Sequence, residues 1–239
     1  MLRLEGLCCG YGPMRAVHGL NLEAGGGEVA ALLGANGAGK SSVIMCLAGH
    51  VTVQEGRVFL EDRDITRDSP MARVAKGIAL TPEGRRLFAR LTVRENLVIG
   101  GYCLPKVRTA PNMEKVLTLF PRLGERLDQA AGSLSGGEQQ MLSLGRALMS
   151  EPKILLVDEI SLGLMPKAID ICYEALADLK RRGLSIILVE QSTQRALETA
   201  DQVLVLESGR TVWSGTGDQA RRDSGLIDAF LGLGEGPGS

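Results

Sequence analysis

Aromatic side chains are scarce: one Trp, three Tyr and four Phe among 239 residues, 3% of the chain. A surface that binds single-stranded nucleic acid by stacking its bases needs more of them. An excess of one charge is also missing. Twenty-seven Lys and Arg face 28 Asp and Glu, a formal net charge of −1, so charge alone gives no strong field for nucleic acid or anionic membrane. No apolar run approaches the length of a membrane-spanning helix, and the start, Met1-Leu2-Arg3-Leu4-Glu5, lacks the apolar stretch of a signal peptide. The expectation is a soluble chain that stays in the cytoplasm and serves a membrane, if at all, from its surface. Cys8, Cys9, Cys46, Cys103 and Cys172 are odd in number and show no C-x-x-C spacing, which predicts reduced thiols and neither a disulfide framework nor a zinc site. The 31 Gly and 9 Pro stay below the share that signals low complexity.

What is there reads as one α/β domain, or a core with an inserted part. Strand-like runs at Leu2–Leu7, Ala16–Leu22 and Glu28–Leu33 alternate with Gly-rich turns; a helix-compatible run over Lys40–Ala48 follows, then strands at Arg57–Leu60 and Ile78–Leu80. From about Leu87 to Ser150 helical spacing dominates, with Met113, Val116, Leu117 and Phe120 on one face and Pro105, Pro111 and Pro121 as punctuation. Ile154–Val157 and Ile186–Val189 are apolar without interruption, as central strands of a parallel sheet require. A helix over Lys167–Arg182, stopped by Gly183, lies between them. Val203–Leu206 and Thr211–Trp213 form a final hairpin around Ser208-Gly209, and the tail from Gly232 to Ser239 frays. Residues 1–84 and 151–239 are thus expected to form the core, including an antiparallel β part, and residues 85–150 a helical part inserted into it.

Three segments carry chemistry. Gly34-Ala35-Asn36-Gly37-Ala38-Gly39-Lys40-Ser41 fits G-x-x-x-x-G-K-[ST]. Its glycines let backbone N–H groups converge on phosphate oxygens, and the following helix adds its free amides and dipole. Lys40 supplies a point charge and Ser41 a hydroxyl for Mg²⁺. A chance match in a chain this long has odds on the order of one in a hundred. Next, the apolar run Ile154–Val157 ends in Asp158 and Glu159. Ligands sit beyond the carboxyl ends of strands in open α/β sheets, so Asp158 is read as a Mg²⁺ partner and Glu159 as the group that polarises an attacking water. An ordinary solvated strand end is the alternative. Finally, Ser135 and Glu138 make a capping box ahead of Met141, Leu144 and Leu148. That accounts for Ser135 and Glu138 but not for Gly136 and Gly137, which cost helix stability. Bare amides there make a second anion site, as if two copies met head to tail, each closing the other's nucleotide.

In this order the segments resemble the ATPase subunit of an ABC transporter, over essentially the whole chain. Gly34–Ser42 is similar to Walker A, Leu134–Gln139 to the ABC signature, Ile154–Glu159 to Walker B, and Ser161-Leu162-Gly163-Leu164 to the D-loop. Thr81–Phe88, Leu134–Met141 and Leu188-Val189-Glu190-Gln191 resemble the second ATPase subunit of high-affinity branched-chain amino acid importers. The resemblance implies an α/β P-loop NTPase core with an antiparallel β subdomain and an inserted helical subdomain. It implies ATP and Mg²⁺, a second ATPase subunit, two permease subunits, a substrate-binding protein, and a place on the cytoplasmic face of the membrane.

It also implies that Gly34, Asn36, Gly37, Ala38, Gly39, Lys40, Ser41 and Ser42 hold the triphosphate, that Ser135, Gly136, Gly137 and Glu138 close it from the other copy, and that Ser41, Glu83 and Asp158 hold the metal. Lys40, Glu159 and Gln191 would then act in hydrolysis. Tyr11 matches the aromatic that stacks on adenine, or is only a strand-end aromatic. Three departures stand out. Glu83 replaces the usual Q-loop glutamine. Gln191 replaces the switch histidine; it can hydrogen-bond a γ-phosphate but carries no positive charge, unless it is a simple turn residue. Ile160 replaces a proline, so a looser D-loop is expected. Arg85-Arg86 is read as a solvated basic pair, and His18 and His50 as structural. Other readings are a transporter ATPase for urea or short amides, or an ABC-type clamp in DNA repair or translation. The clamp usually carries a coiled-coil insertion or two tandem cores that are missing here. A P-loop kinase or GTPase leaves the Ser-Gly-Gly helix start unexplained.

Overall fold

The computed structural model describes residues 1–223, apart from Ser192, together with Gly225; the tail expected to fray lies outside them. Two sheets share the work. Strands β1 (Leu2–Tyr11), β2 (Met14–Ala24), β4 (Thr52–Leu60) and the two-residue β5 (Arg63–Asp64) form an antiparallel sheet in the order β2-β1-β4-β5. The second sheet runs β10-β9-β3-β8-β7-β6, built from β3 (Val29–Leu33), β6 (Ile78–Thr81), β7 (Ile154–Asp158), β8 (Ser185–Glu190), β9 (Gln202–Glu207) and β10 (Arg210–Thr216). Its strands pair in parallel except β10, which returns antiparallel beside β9 through a tight turn with Ser208 and Gly209 at φ 47° and 76°.

β3, β7 and β8 are buried along their whole length, because the parallel sheet is covered on both faces. Alternation divides the two sides. Ala30, Leu32, Leu156, Ile187 and Val189 face α1 (Lys40–Leu47) and the antiparallel sheet. Ala31, Leu33, Leu155, Val157 and Leu188 join the apolar cluster with Leu144, Leu176 and Ala196, which belong to α6 (Gly136–Leu148), α7 (Pro166–Arg181) and α8 (Thr193–Thr199).

Between the neighbours β6 and β7 the chain makes α3 (Val93–Gly100), α4 (Thr109–Leu119), α5 (Pro121–Gly124) and α6. Val116 and Phe120 are buried there, with Met113 and Leu117 packed beside them. Pro111 falls in the first turn of α4, where its missing N–H costs nothing, and Pro121 opens α5. The strands run longer than the apolar runs that announce them, since pairing with β1 extends β4 back to Thr52 and β1 itself continues through Cys8 and Cys9. Cys9 faces α1, its thiol 3.7 Å from the Ser42 carbonyl, while the Cys8 sulfur accepts the Gly19 N–H at 3.1 Å. All five cysteines are free. Two short helices without apolar periodicity, α2 (Pro70–Ala75) and α9 (Gly217–Arg222), are set by their caps: Ser69 with Pro70, and Thr216 in a capping box with Gln219.

Candidate functional site

Because β3, β8, β7 and β6 are parallel, their carboxyl ends meet on one side of the sheet. β3 delivers the phosphate loop there. At Gly39 the backbone has φ 102°, and a Cβ would stand 2.8 Å from the Ala16 carbonyl, so glycine is required at this turn into α1. Ala38 is buried, and its carbonyl accepts the Gly209 N–H at 2.9 Å, tying the loop to the β9–β10 turn. α1 starts with no side-chain cap and no acidic residue in its first turn, which leaves its amides free for an anion. Lys40 is only 4% exposed, and its ammonium donates to the carbonyls of Gly34 at 2.7 Å and Ala35 at 3.1 Å. Burial pulls its pKa below the ordinary lysine value against the opposing fields of Glu159, Asp158 and Glu190.

β7 brings the acids. Asp158 accepts a hydrogen bond from the Ser41 hydroxyl at 3.3 Å. Burial first, then the Glu159 and Glu83 carboxylates, push its carboxyl up to about 6, with Ser41 and Lys40 pulling the other way. Glu159 sits at φ 50°, in the left-handed region, with its N–H on the Val189 carbonyl at 2.9 Å. A cleft of about 640 Å³ is lined by Asn36, Gly37, Gly39, Lys40, Ser41, Ser42, Glu83, Glu159 and Gln191 among others. Among the described residues, no three His, Cys, Asp or Glu side chains form a metal cage. A cluster of carboxylates beside a hydroxyl, only partly offset by the Lys40 ammonium, fits Mg²⁺, which binds through one or two protein oxygens, waters and substrate phosphates.

The structure leaves other expected residues outside this cleft. Tyr11 is 56% exposed at the β1–β2 turn and does not line it, whereas Met14, Arg15 and Ala16 across that turn do. Arg15 is fixed by an ion pair with Glu55 at 2.6 Å; nothing in its spacing marks it. Ser135, Gly136, Gly137 and Glu138 also lie apart from the cleft, at the start of α6. The capping box is formed: the Ser135 N–H donates to Glu138 Oε2 at 2.9 Å and the Glu138 N–H to the Ser135 hydroxyl at 3.3 Å. Gly137 has a packing reason that the sequence hid, since a Cβ there would stand 2.6 Å from that of Ala168 on α7. Arg86 is exposed, but Arg85 is half-buried and donates to Gln139 Oε1 at 3.2 Å, so the pair is not simply solvated. His18 is half-buried, its N–H on the Gly209 carbonyl at 2.8 Å, and His50 is exposed.

The segment after Glu159 is not loose. Ile160 is buried, and Ser161 donates both its N–H and its hydroxyl to the Glu190 carboxylate. Glu190 is itself buried and carries no expected role; its signal was a lone carboxylate closing the apolar run Ile186–Val189, the same pattern that drew notice to Asp158.

Comparison with known proteins agrees with this arrangement. Residues 17–161 match the ABC transporter family model. The chain is 46% identical over 232 residues, 97% of its length and the whole of the relative, to the high-affinity branched-chain amino acid transport ATP-binding protein BraG of Pseudomonas aeruginosa. It is 37% identical to a probable branched-chain amino acid transport ATP-binding protein, LivF, of Archaeoglobus fulgidus, over 92% of this chain and 93% of that one. Among solved structures it resembles a nucleotide-free ATP-binding cassette from an ABC transporter, with a TM-score of 0.87 and 26% identity over 99% of each chain. An ATP-binding cassette of an ABC transporter in its ADP conformation gives a TM-score of 0.86 at 27% identity, over 98% of this chain and 97% of that one. With a phosphate loop, an acidic strand end and a Ser-Gly-Gly helix start on a fold shared with such cassettes, the chain belongs to the ABC transporter family.

Proposed function

We propose that this chain binds and hydrolyses ATP to drive uptake of branched-chain amino acids through an importer, working as one of two ATPase subunits on the cytoplasmic face of the membrane. The observation that carries the reading is the division of parts: the phosphate loop, Glu159, Glu83 and Gln191 converge on one cleft, with Asp158 buried behind Ser41, while the serine-capped start of α6 stands outside it. A nucleotide in the cleft is then half enclosed. The Ser135–Glu138 start of a second subunit, meeting the first head to tail, supplies the other half.

The amides of Gly34–Gly39 and of the start of α1 hold the phosphates, with Ser42 beside them. Lys40 exchanges the Gly34 and Ala35 carbonyls for β- and γ-phosphate oxygens, so its buried ammonium stays paired throughout. Ser41, Asp158 and Glu83 would hold Mg²⁺, which supplies positive charge to the triphosphate. The carboxylate of Glu159 accepts a proton from the water that attacks the γ-phosphorus as the bond to the ADP oxygen breaks. The Gln191 amide donates a hydrogen bond to a γ-phosphate oxygen. Tyr11, exposed on its turn, stacks on the adenine.

Residues 1–84 and 151–239 act as the nucleotide core and 85–150 as the helical part. Between the two parts an open groove exposes Phe88, Ile99 and Tyr102 beside Arg86 and Arg146, an apolar surface suited to a permease segment. Among the described residues no helix is long and apolar enough to cross a membrane, in keeping with a peripheral subunit. The cargo assignment rests on the relatives named above, and a substrate-binding protein would deliver it to the permeases. Lys40→Ala should abolish ATP retention by the purified chain in equilibrium binding; unchanged binding overturns the phosphate-loop assignment. Loss of leucine uptake, but not urea uptake, from a deletion strain tests the cargo.

A further inference from the structure

After Glu83 the loop from β6 takes three successive residues, Gly84, Arg85 and Arg86, through left-handed backbone at φ 70°, 63° and 45°. Arginine adopts this conformation only where its surroundings over-determine it, and α6 does so. The Ser143 hydroxyl donates to the Arg85 carbonyl at 3.1 Å, and Arg146 donates to the same carbonyl at 3.1 Å and to that of Arg86 at 2.8 Å. With its backbone pinned, Arg85 turns its side chain back to the first turn of α6. Nη1 donates to Gln139 Oε1 at 3.2 Å, and a Cβ on Gly136 would stand 3.4 Å from Nη2. Gln139 in turn donates to the carbonyl of Leu134, the residue before Ser135, at 3.2 Å.

We propose that Arg85 is a positioning residue that couples Glu83 in the cleft to the Ser135 helix start of the same chain, through the Arg85–Gln139 hydrogen bond. The inference rests on the dimer reading above. In that dimer Glu83 faces one ATP and Ser135 faces the other, so Arg85 lies between two nucleotide sites without lining either. A Glu83 loop settled on nucleotide holds Arg85, and Arg85 holds the first turn of α6 in the pose that closes the second site. The two sites therefore report on each other.

The test is steady-state hydrolysis against ATP concentration for the full chain with Mg²⁺, compared with Arg85→Met, Arg85→Lys, Gln139→Leu and the double variant Arg85→Met/Gln139→Leu. Methionine and lysine tolerate this backbone no worse than arginine does. Thermal melting and binding of a fluorescent ATP analogue to each variant check folding and the intact cleft. Arg85→Met is expected to bind nucleotide within about twofold of the parent, to lose about tenfold in rate, and to drop its Hill coefficient from near 2 towards 1. Arg85→Lys, which can still donate to Gln139, should recover most of both. The double variant should be no worse than the poorer single one. Arg85→Met with the parental rate and Hill coefficient, or losses that multiply in the double variant, overturns the coupling. Should Arg85→Met fail to fold, the Gln139→Leu arm decides by the same criteria. A parent chain that sediments as a monomer at saturating MgATP with its hydrolysis blocked by Glu159→Gln removes the dimer reading, and this inference with it.

Discussion

The Glu190 carboxylate, at the end of β8, accepts two hydrogen bonds from Ser161: one from the backbone N–H at 3.1 Å and one from the hydroxyl at 2.7 Å. Glu159, two residues before Ser161, is itself tied to β8 through the Val189 carbonyl. Both ends of the turn that carries the proposed base are therefore fastened to one strand, which makes up for the missing proline. Burial raises the Glu190 pKa, and the Ser161 bonds counter it. Glu190→Gln leaves one acceptor and exchanges the other for a donor, which loosens this fastening while leaving the cleft's lining alone. The expected result is a fall of about tenfold in kcat with KM for ATP within about twofold. An unchanged kcat, or an effect on KM alone, would count against the role.

Asp158 sets a pH signature on stability. Its carboxyl is raised from the ordinary aspartate value of 3.8 to about 6, so between those values the folded chain keeps a proton that the unfolded chain has released. Stability from this group is thus present below about pH 4, is lost as pH rises through 6, and stays lost above it. Asp158→Asn should melt several degrees above the parent at pH 7.5 without nucleotide, the order expected for at most about 3 kcal/mol in a chain of this length. The gap should close as pH approaches 4. The same variant should lose Mg²⁺-dependent hydrolysis. A melting point below the parent's at pH 7.5 contradicts the picture of a crowded acid cluster that Lys40 only partly offsets.

Adjacent glycines at the start of α6 should answer substitution in opposite ways. A Cβ at Gly137 meets the Cβ of Ala168 at 2.6 Å, while one at Gly136 meets only the end of the flexible Arg85 side chain at 3.4 Å. Gly137→Ala should lower stability by about 1–3 kcal/mol, because α6 and α7 must part. Gly136→Ala should hold or gain stability from its better helix propensity. Chemical denaturation of the two variants reads this directly; equal effects would show that α7 does not constrain the first turn.

Much of this was legible in the chain. The apolar runs 29–33, 154–157 and 186–189 had to be buried on both faces, and a parallel sheet then brings their carboxyl ends together, which gathers Lys40, Asp158, Glu159 and Gln191. Capping chemistry marked Ser135. Less legible were features fixed by tertiary contact. Arg15 is held by Glu55 on a different strand, Glu190 by a loop 29 positions away, and Arg85 by α6. Gly137 shows the limit most plainly, because a packing requirement and an anion site ask for the same residue. Neither α2 nor α9 has apolar periodicity to announce it, so only their caps could have done so.

The central claim is that ATP lies between the cleft of one subunit and the Ser135 helix start of another. Sedimentation of Glu159→Gln, with and without MgATP, tests it most directly when repeated with Ser135→Arg added. The account predicts monomers without nucleotide, dimers with MgATP, and monomers again in the double variant even with MgATP. A Glu159→Gln chain that stays monomeric at saturating MgATP, or a dimer that forms equally well with Ser135 replaced, would contradict it.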